Sequence, residues 1–222
     1  MKKTVSAALF FLLLSPLSFQ VSAQQKTDIL PENNQAIFED FMYRRGNAYR
    51  TASGNPGPEY WQNRADYQIE VSLDDTNHML SGSVEITYTN NSPEDLDFLW
   101  LYLEQNRFTK ESRGTMTTPL GGNRYSGDTE GGFMTSNLIS KVNGKESNSY
   151  LINDTRMQVD LAEPLKAQGG KATVRMNFKF KIPREGMDRM GRLEVKDGFI
   201  YSLAQWYPKM CVFDDVQGWN TL

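Results

Sequence analysis

The chain has 222 residues, a formal net charge of −3 and a single cysteine, Cys211. One cysteine excludes an internal disulfide framework, so buried apolar surface must hold the fold together. The mildly acidic balance of 24 basic against 27 acidic residues provides neither the basic patch of a nucleic-acid-binding protein nor the polybasic segment of a membrane-surface protein.

Residues 1–23 have the pattern of a secretory signal peptide. Lys2 and Lys3 precede an apolar stretch, and Val21 and Ala23 supply the small-residue cleavage motif. The apolar stretch has about 13 residues, short of the roughly 20 that a membrane span needs. We therefore expect cleavage after Ala23, an exported product in the periplasm or outside the cell, and no membrane span after cleavage. A retained membrane anchor is the alternative.

Residues 24–57 are predicted to form a polar lead that contains one short helix and a linker. Ile37, Phe38, Phe41 and Met42 recur at helical spacing. A segment rich in turn-forming residues follows. The apolar face of this helix would pack on the main domain or bind a partner.

Residues 58–222 are predicted to form an all-β domain. Tyr67, Ile69, Val71 and Leu73 alternate with polar residues, which is typical of a half-buried strand. Further strand patterns lie at residues 84–88, 96–103, 137–142, 155–161 and 172–183. We predict an antiparallel two-sheet sandwich with a short helical N-terminal extension.

The last of these strands has the clearest alternation. Its apolar side chains are predicted to face the core, and they are Val174, Met176, Phe178, Phe180 and Ile182. The intervening residues include three cations, which favours a solvated face that also discourages edge-to-edge pairing. A ligand-binding face is the alternative. A long Gly-rich segment at residues 114–133 is predicted to be a functional or mobile loop.

The residues alone predict no catalytic group, metal ligand or cofactor site. His78 is the single histidine, and with Cys211 it cannot supply the three protein ligands of a catalytic zinc site. No serine elbow, phosphate loop or dinucleotide fingerprint occurs. Adjacent carboxylates at 74–75 and 214–215 are predicted to be turn and surface residues. Cys211 is predicted to be a buried structural thiol.

A family resemblance covers residues 58–222. The segments "YQIEVSLD", "LSGSVEITYTN" and "FLWLYL" resemble the first strands of the N-terminal β domain of the zinc aminopeptidase N family, a gluzincin-type group of metallopeptidases. The closing "AQWYPKMCVFDD" is similar to the exported, Bacteroidetes-like branch of that family. The resemblance implies that the catalytic domain, with its Gly-x-Met-Glu-Asn and His-Glu-x-x-His motifs, would follow this chain. It also implies that the β domain is incomplete at its C-terminus, with an open sheet edge and exposed aromatic residues near residues 199–213.

The resemblance further implies a function for the parent protein, which would hydrolyse N-terminal residues from peptides with a zinc-activated water. Its implied partners are the peptide substrate and the catalytic domain, and zinc is implied for the parent but not for this chain. Gln205 matches the Gln of the family's Q-x-E segment, which holds the free amino group of the substrate, whereas Tyr207 stands in place of the Glu. The alternatives are a Gln205 that only bonds to backbone, and a non-enzymatic exported module that binds glycan or protein.

Overall fold

The computed structural model describes residues 46–117, 131–184 and 189–221, which all belong to one compact unit, Arg44–Leu222. It has two short helices, a 3-10 helix at Glu104–Phe108 and α1 at Arg113–Thr117. The strands are β1 (Arg64–Asp74), β2 (Met79–Asn90), β3 (Leu96–Tyr102), β4 (Met134–Val142), β5 (Lys145–Ser147), β6 (Tyr150–Asn153), β7 (Arg156–Leu165), β8 (Gly170–Lys181), β9 (Gly191–Val195), β10 (Gly198–Ser202), β11 (Lys209–Met210), β12 (Val212–Asp214) and β13 (Gly218–Asn220).

Two antiparallel sheets dominate the described residues. One has five strands in the order β1-β2-β8-β4-β5, and the other has four in the order β11-β3-β7-β6. Two hairpins, β9–β10 and β12–β13, complete the set. The predicted all-β, sandwich-like class is confirmed.

A single hydrophobic cluster contains buried side chains from both sheets. Ile86 and Val174 from the five-stranded sheet and Leu99 and Met157 from the four-stranded sheet are each 0% exposed. Burial of each such side chain contributes roughly 1.5–3 kcal/mol relative to the exposed state. Burial of this shared cluster therefore stabilises the packing of the two sheets.

The alternation predicted for β8 is confirmed. All five apolar residues named for this strand are buried, and the intervening cationic face is largely exposed. Arg175 on this face lies opposite Glu85 of β2, and its Nε donates to Glu85 Oε2 at 2.6 Å. The cationic face is thus a solvated sheet surface with a cross-strand ion pair.

The half-buried pattern predicted for β1 holds only for its first half. Tyr67 and Ile69 pack against the core, but Val71 and Leu73 are 49% and 43% exposed. Tyr67 is covered by the segment after β10, since it contacts Tyr207 edge to face at 5.7 Å. The exposure of Val71 and Leu73 shows that the prediction of their burial is wrong.

Several predicted features lie outside the described residues, namely the signal peptide, the helix near residues 37–42 and residues 118–130 of the Gly-rich segment. None of the helices within the described ranges is both long and apolar enough to cross a membrane. Residues 46–57 form turns closed by an isolated antiparallel bridge between Arg50 and Pro56. The division of the chain at residue 57 stays a prediction.

The aromatic residues after β9 are less exposed than predicted. Tyr201, Trp206, Tyr207 and Phe213 are partly buried against the core, and only Phe199, at 38%, is strongly exposed. Trp206 and Tyr207 contact each other at 5.0 Å between ring centroids. Tyr207 contacts Tyr67 of β1 and Trp206 contacts Phe178 of β8, so the expectation that all of these aromatic residues are exposed is wrong.

Candidate functional site

Gln205 lies in the loop between β10 and β11, at residues 203–208. Its backbone has φ of 47°, in the left-handed region. For a residue that is not glycine, this conformation costs of order 1–2 kcal/mol. The surrounding structure must therefore hold the loop in place.

Gln105 supplies that support from the opposite side of the loop. Its side-chain Nε2 donates to the carbonyl oxygens of Ala204 at 3.1 Å and Gln205 at 2.9 Å. Gln105 is 1% exposed, so water competes little for these bonds. Its Oε1 has no hydrogen-bond partner among the described residues.

A cavity of about 480 Å³ lies beside this loop, and Gln105 and Gln205 both line it. The rest of its wall comes mainly from the 3-10 helix, the turn between β6 and β7, and the end of β3. Its volume is within the range of roughly 300–1,000 Å³ typical of small-ligand sites. The side chain of Gln205 has no hydrogen bond to any described residue, so its amide is available to a ligand at this cavity.

The charges around the cavity are mixed. Glu104 accepts from Lys209 Nζ at Oε1, 3.1 Å away, and its buried Oε2 lies 2.9 Å from the same nitrogen without hydrogen-bond geometry. Arg107 and Arg156 also line the cavity, and Arg156 Nη1 donates to the carbonyl of Thr221 at 3.0 Å. Among the described lining residues the carboxylate of Glu104 is already paired and Arg107 and Arg156 are cations, so the lining offers amide oxygens but no unpaired anion to a cationic ligand.

Tyr207 does not share the surroundings of Gln205. Its ring packs edge to face against Tyr67 and Trp206, and it is absent from the described lining of the cavity. Tyr67 in turn accepts from the Met210 backbone N–H at 2.9 Å. The residue that stands where the resemblance expects a Glu is therefore a packing residue of the loop.

The single histidine and the single cysteine are both in structural positions. His78 has φ of 56° at the end of the β1–β2 turn, and its Nδ1 lies 2.8 Å from the Tyr201 hydroxyl. Cys211 is 2% exposed, which confirms the predicted buried thiol, and burial raises its pKa to about 12. The described residues contain no group of three or more His, Cys, Asp or Glu side chains that could hold a metal ion.

The two carboxylate pairs divide into turn residues and an ion-pair residue. Asp74 Oδ1 accepts from the backbone N–H groups of Thr76 and Asn77, and Asp214 makes the equivalent bonds after β12. These confirm the predicted turns. Asp215 was predicted to be a surface residue, but its side chain is 6% exposed and paired with Arg50. Asp215 therefore lies in the predicted turn, but its side chain is less exposed than predicted because Arg50 covers and neutralises it.

A second cavity, of about 370 Å³, has an aromatic wall that includes Tyr60, Trp61, Tyr88 and Phe213. Trp61 stacks on Phe213 at 5.7 Å, and its Nε1 is buried without an acceptor among the described residues. A larger, open groove of about 730 Å³ runs over β1, β2, β8 and the start of β4. Neither was predicted, because both are built from residues distant in sequence.

The residue that sequence reasoning missed is Gln105. It lies in the stretch "YLEQNRF" directly after β3, where no periodicity or motif separates it from its polar neighbours. Only the tertiary contact with the loop gives it a role. Comparison of the chain with models of known protein families and with curated proteins found no match.

Proposed function

We propose that this chain is the non-catalytic N-terminal portion of an exported zinc metallopeptidase that resembles aminopeptidase N. In this proposal the parent protein hydrolyses N-terminal residues from peptides, and the β domain contributes Gln205 to recognition of the substrate's amino end. The sequence resemblance over residues 58–222 supports the family. The observation that carries the site is the Gln205 side chain, which is unbonded to described residues and lies on an anchored loop at a cavity.

The chemistry of Gln205 suits this role. Its amide oxygen is an acceptor for one N–H of the substrate ammonium, and its amide nitrogen is a donor for a nearby carbonyl. A neutral amide gives a weaker bond to an ammonium than a carboxylate gives. Because Tyr207 packs into the loop, the carboxylate that binds the substrate ammonium would come from the catalytic domain. The zinc ion of that domain would act as a Lewis acid that activates the water and the scissile carbonyl.

The first test is the open reading frame that encodes this chain. A downstream segment that encodes His-Glu-x-x-His supports the proposal. The product of the complete frame should contain stoichiometric zinc by metal analysis and release p-nitroaniline from aminoacyl-p-nitroanilides. A complete product without zinc, or one that does not hydrolyse these substrates, overturns it.

The second test isolates Gln205 in that complete product. Gln205→Ala should lower kcat/KM by about 5- to 150-fold, corresponding to the roughly 1–3 kcal/mol for loss of a buried polar partner. Zinc content and melting temperature should be nearly unchanged. Gln68→Ala on the exposed face of β1 is the matched control and should retain full activity. Full activity together with a lowered melting temperature in Gln205→Ala would show that Gln205 has a structural role and does not bind the substrate.

A non-enzymatic binding module is the second candidate, and the aromatic cavity favours it. A cavity lined by Tyr60, Trp61, Tyr88 and Phe213 offers apolar ring faces and a buried indole N–H that has no acceptor among the described residues. Calorimetric titration of the exported chain with neutral oligosaccharides tests this candidate. Binding that Trp61→Phe weakens, together with a reading frame that lacks the zinc motif, would favour the module over the peptidase.

A further inference from the structure

We propose that Gln105 is a positioning residue, which fixes the backbone of Ala204 and Gln205 and thereby directs the Gln205 side chain to the cavity. The consequence for peptide recognition rests on the proposed function. The anchoring of the loop does not, and it is measured separately below.

The two hydrogen bonds from Gln105 use the full donor capacity of its amide nitrogen. A primary amide nitrogen carries two hydrogens, and here they bond two successive carbonyls, at 3.1 Å and 2.9 Å. Within the described residues, no backbone N–H bonds to either carbonyl. Removal of the amide would therefore leave both carbonyls without their protein donor.

The anchored residue is the one with the strained backbone. A left-handed φ of 47° at Gln205 persists only where neighbouring contacts hold it. When those contacts are lost, relaxation of Gln205 to negative φ becomes favourable. Such a relaxation rotates the Cα–Cβ bond and turns the side chain away from its present direction.

Gln105 is itself held on a fixed element. Leu103 N–H donates to the Thr155 carbonyl at 2.7 Å, just before the 3-10 helix begins. Asn106, the next residue after Gln105, donates from Nδ2 to the Asp154 carbonyl and accepts at Oδ1 from Phe133 N–H, each at 2.8 Å. The four-stranded sheet therefore holds Gln105 in place, and the two hydrogen bonds of Gln105 fix the loop relative to that sheet. A functional residue needs support of this kind.

The experiment compares Gln105→Met, Gln205→Ala and the double variant in the complete gene product. Methionine keeps the length of the side chain but removes both N–H donors. The substitution also removes Gln105 Oε1, which has no partner among the described residues. Any effect of Gln105→Met therefore comes from the loss of the two N–H donors. The control is Asn90→Ala. Asn90 is also a buried amide, at the last position of β2, and its Nδ2 donates to the carbonyls of Glu94, Leu165 and Lys166.

Hydrogen–deuterium exchange measures how firmly the loop is held. The Met210 N–H donates to the Tyr67 hydroxyl and the Cys211 N–H donates to the Trp100 carbonyl directly after the loop, so both amides exchange when this segment opens. Gln105→Met should speed their exchange by about tenfold, since two hydrogen bonds to the segment are lost. Asn90→Ala should lower the melting temperature and leave these two amides at the wild-type rate once both variants are compared at equal global stability. Unchanged exchange of Met210 and Cys211 in Gln105→Met overturns the proposal.

A double-mutant cycle measures the consequence for function. Gln105→Met should lower kcat/KM by about 5- to 50-fold alone, and by less than about twofold in the Gln205→Ala background, because it acts through Gln205. Additive losses would show that Gln105 does not act through Gln205 and would overturn the positioning role. A wild-type product without peptidase activity overturns the proposed function instead, and the exchange measurement still decides whether Gln105 anchors the loop.

Discussion

Arg50 and Asp215 form a two-bond ion pair although 165 positions separate them in the sequence. Arg50 Nε donates to Oδ2 at 2.8 Å and Nη2 donates to Oδ1 at 2.6 Å. The Asp215 side chain is 6% exposed, compared with 28% for Arg50. The pair joins the turns of residues 46–57 to the β12–β13 hairpin, so this early segment is attached to the last described hairpin of the domain.

Arg50→Met is therefore expected to lower the melting temperature at pH 7. The hydrogen bonds from Arg50 hold the pKa of Asp215 below its ordinary value, so the pair's contribution is full above the unfolded pKa, about 3.9. It is lost as the pH falls through the lower folded pKa. Thermal melts from pH 7 to pH 2 should show the difference between wild type and variant shrinking below about pH 4.

The matched control for this pair is Arg64→Met. Arg64 bonds Asp66 at 2.8 Å, but the two side chains are 72% and 51% exposed, and exposed pairs contribute little. Its melting temperature should match wild type at every pH. Equal effects of the two variants would mean that the burial of Asp215 adds nothing to the pair.

Leu101→Ala should lower the free energy of unfolding by about 2–5 kcal/mol, the range for a fully buried leucine. Leu101 lies in β3 between the sheets and is 0% exposed, whereas Leu151 on the edge strand β6 is 64% exposed. Leu151→Ala should change the free energy by no more than about 0.5 kcal/mol. Urea titration of both variants measures this, and similar losses at the two positions would contradict the assigned core.

The sequence predicts those features that depend on local periodicity. The faces of β8 follow from alternation alone, since successive side chains on a strand point to opposite sides. The exposure of Val71 and Leu73 could not be predicted, because it depends on how far along β1 the segment after β10 packs. The role of Gln105 depends on a loop about a hundred residues away, and no local pattern encodes such a contact.

Cys211 is expected to be unreactive in the folded protein. The thiol is buried between β11 and β12, and its pKa of about 12 leaves almost no thiolate at pH 8. Ellman's reagent should label less than about a tenth of the thiol in an hour at pH 8, and all of it within minutes in 6 M guanidinium, where the pKa returns to about 8.5. Rapid labelling without denaturant would contradict the burial of Cys211.

Ile200→Thr should reduce self-association without loss of stability. Ile200 and Leu193 lie opposite each other in the β9–β10 hairpin and are 57% and 44% exposed. Adjacent exposed apolar side chains favour association, and threonine keeps the β-branched shape that strands prefer. Light scattering should show that the variant associates only at a higher concentration than wild type does. Its free energy of unfolding should stay within about 0.5 kcal/mol of wild type.

The same substitution at Ile86, which is 0% exposed, is the control. It should destabilise the protein by about 2 kcal/mol or more, because it buries a hydroxyl and leaves a void. If Ile200→Thr destabilises as much as Ile86→Thr, the hairpin side chain is part of the core and the assigned exposure of Ile200 is contradicted.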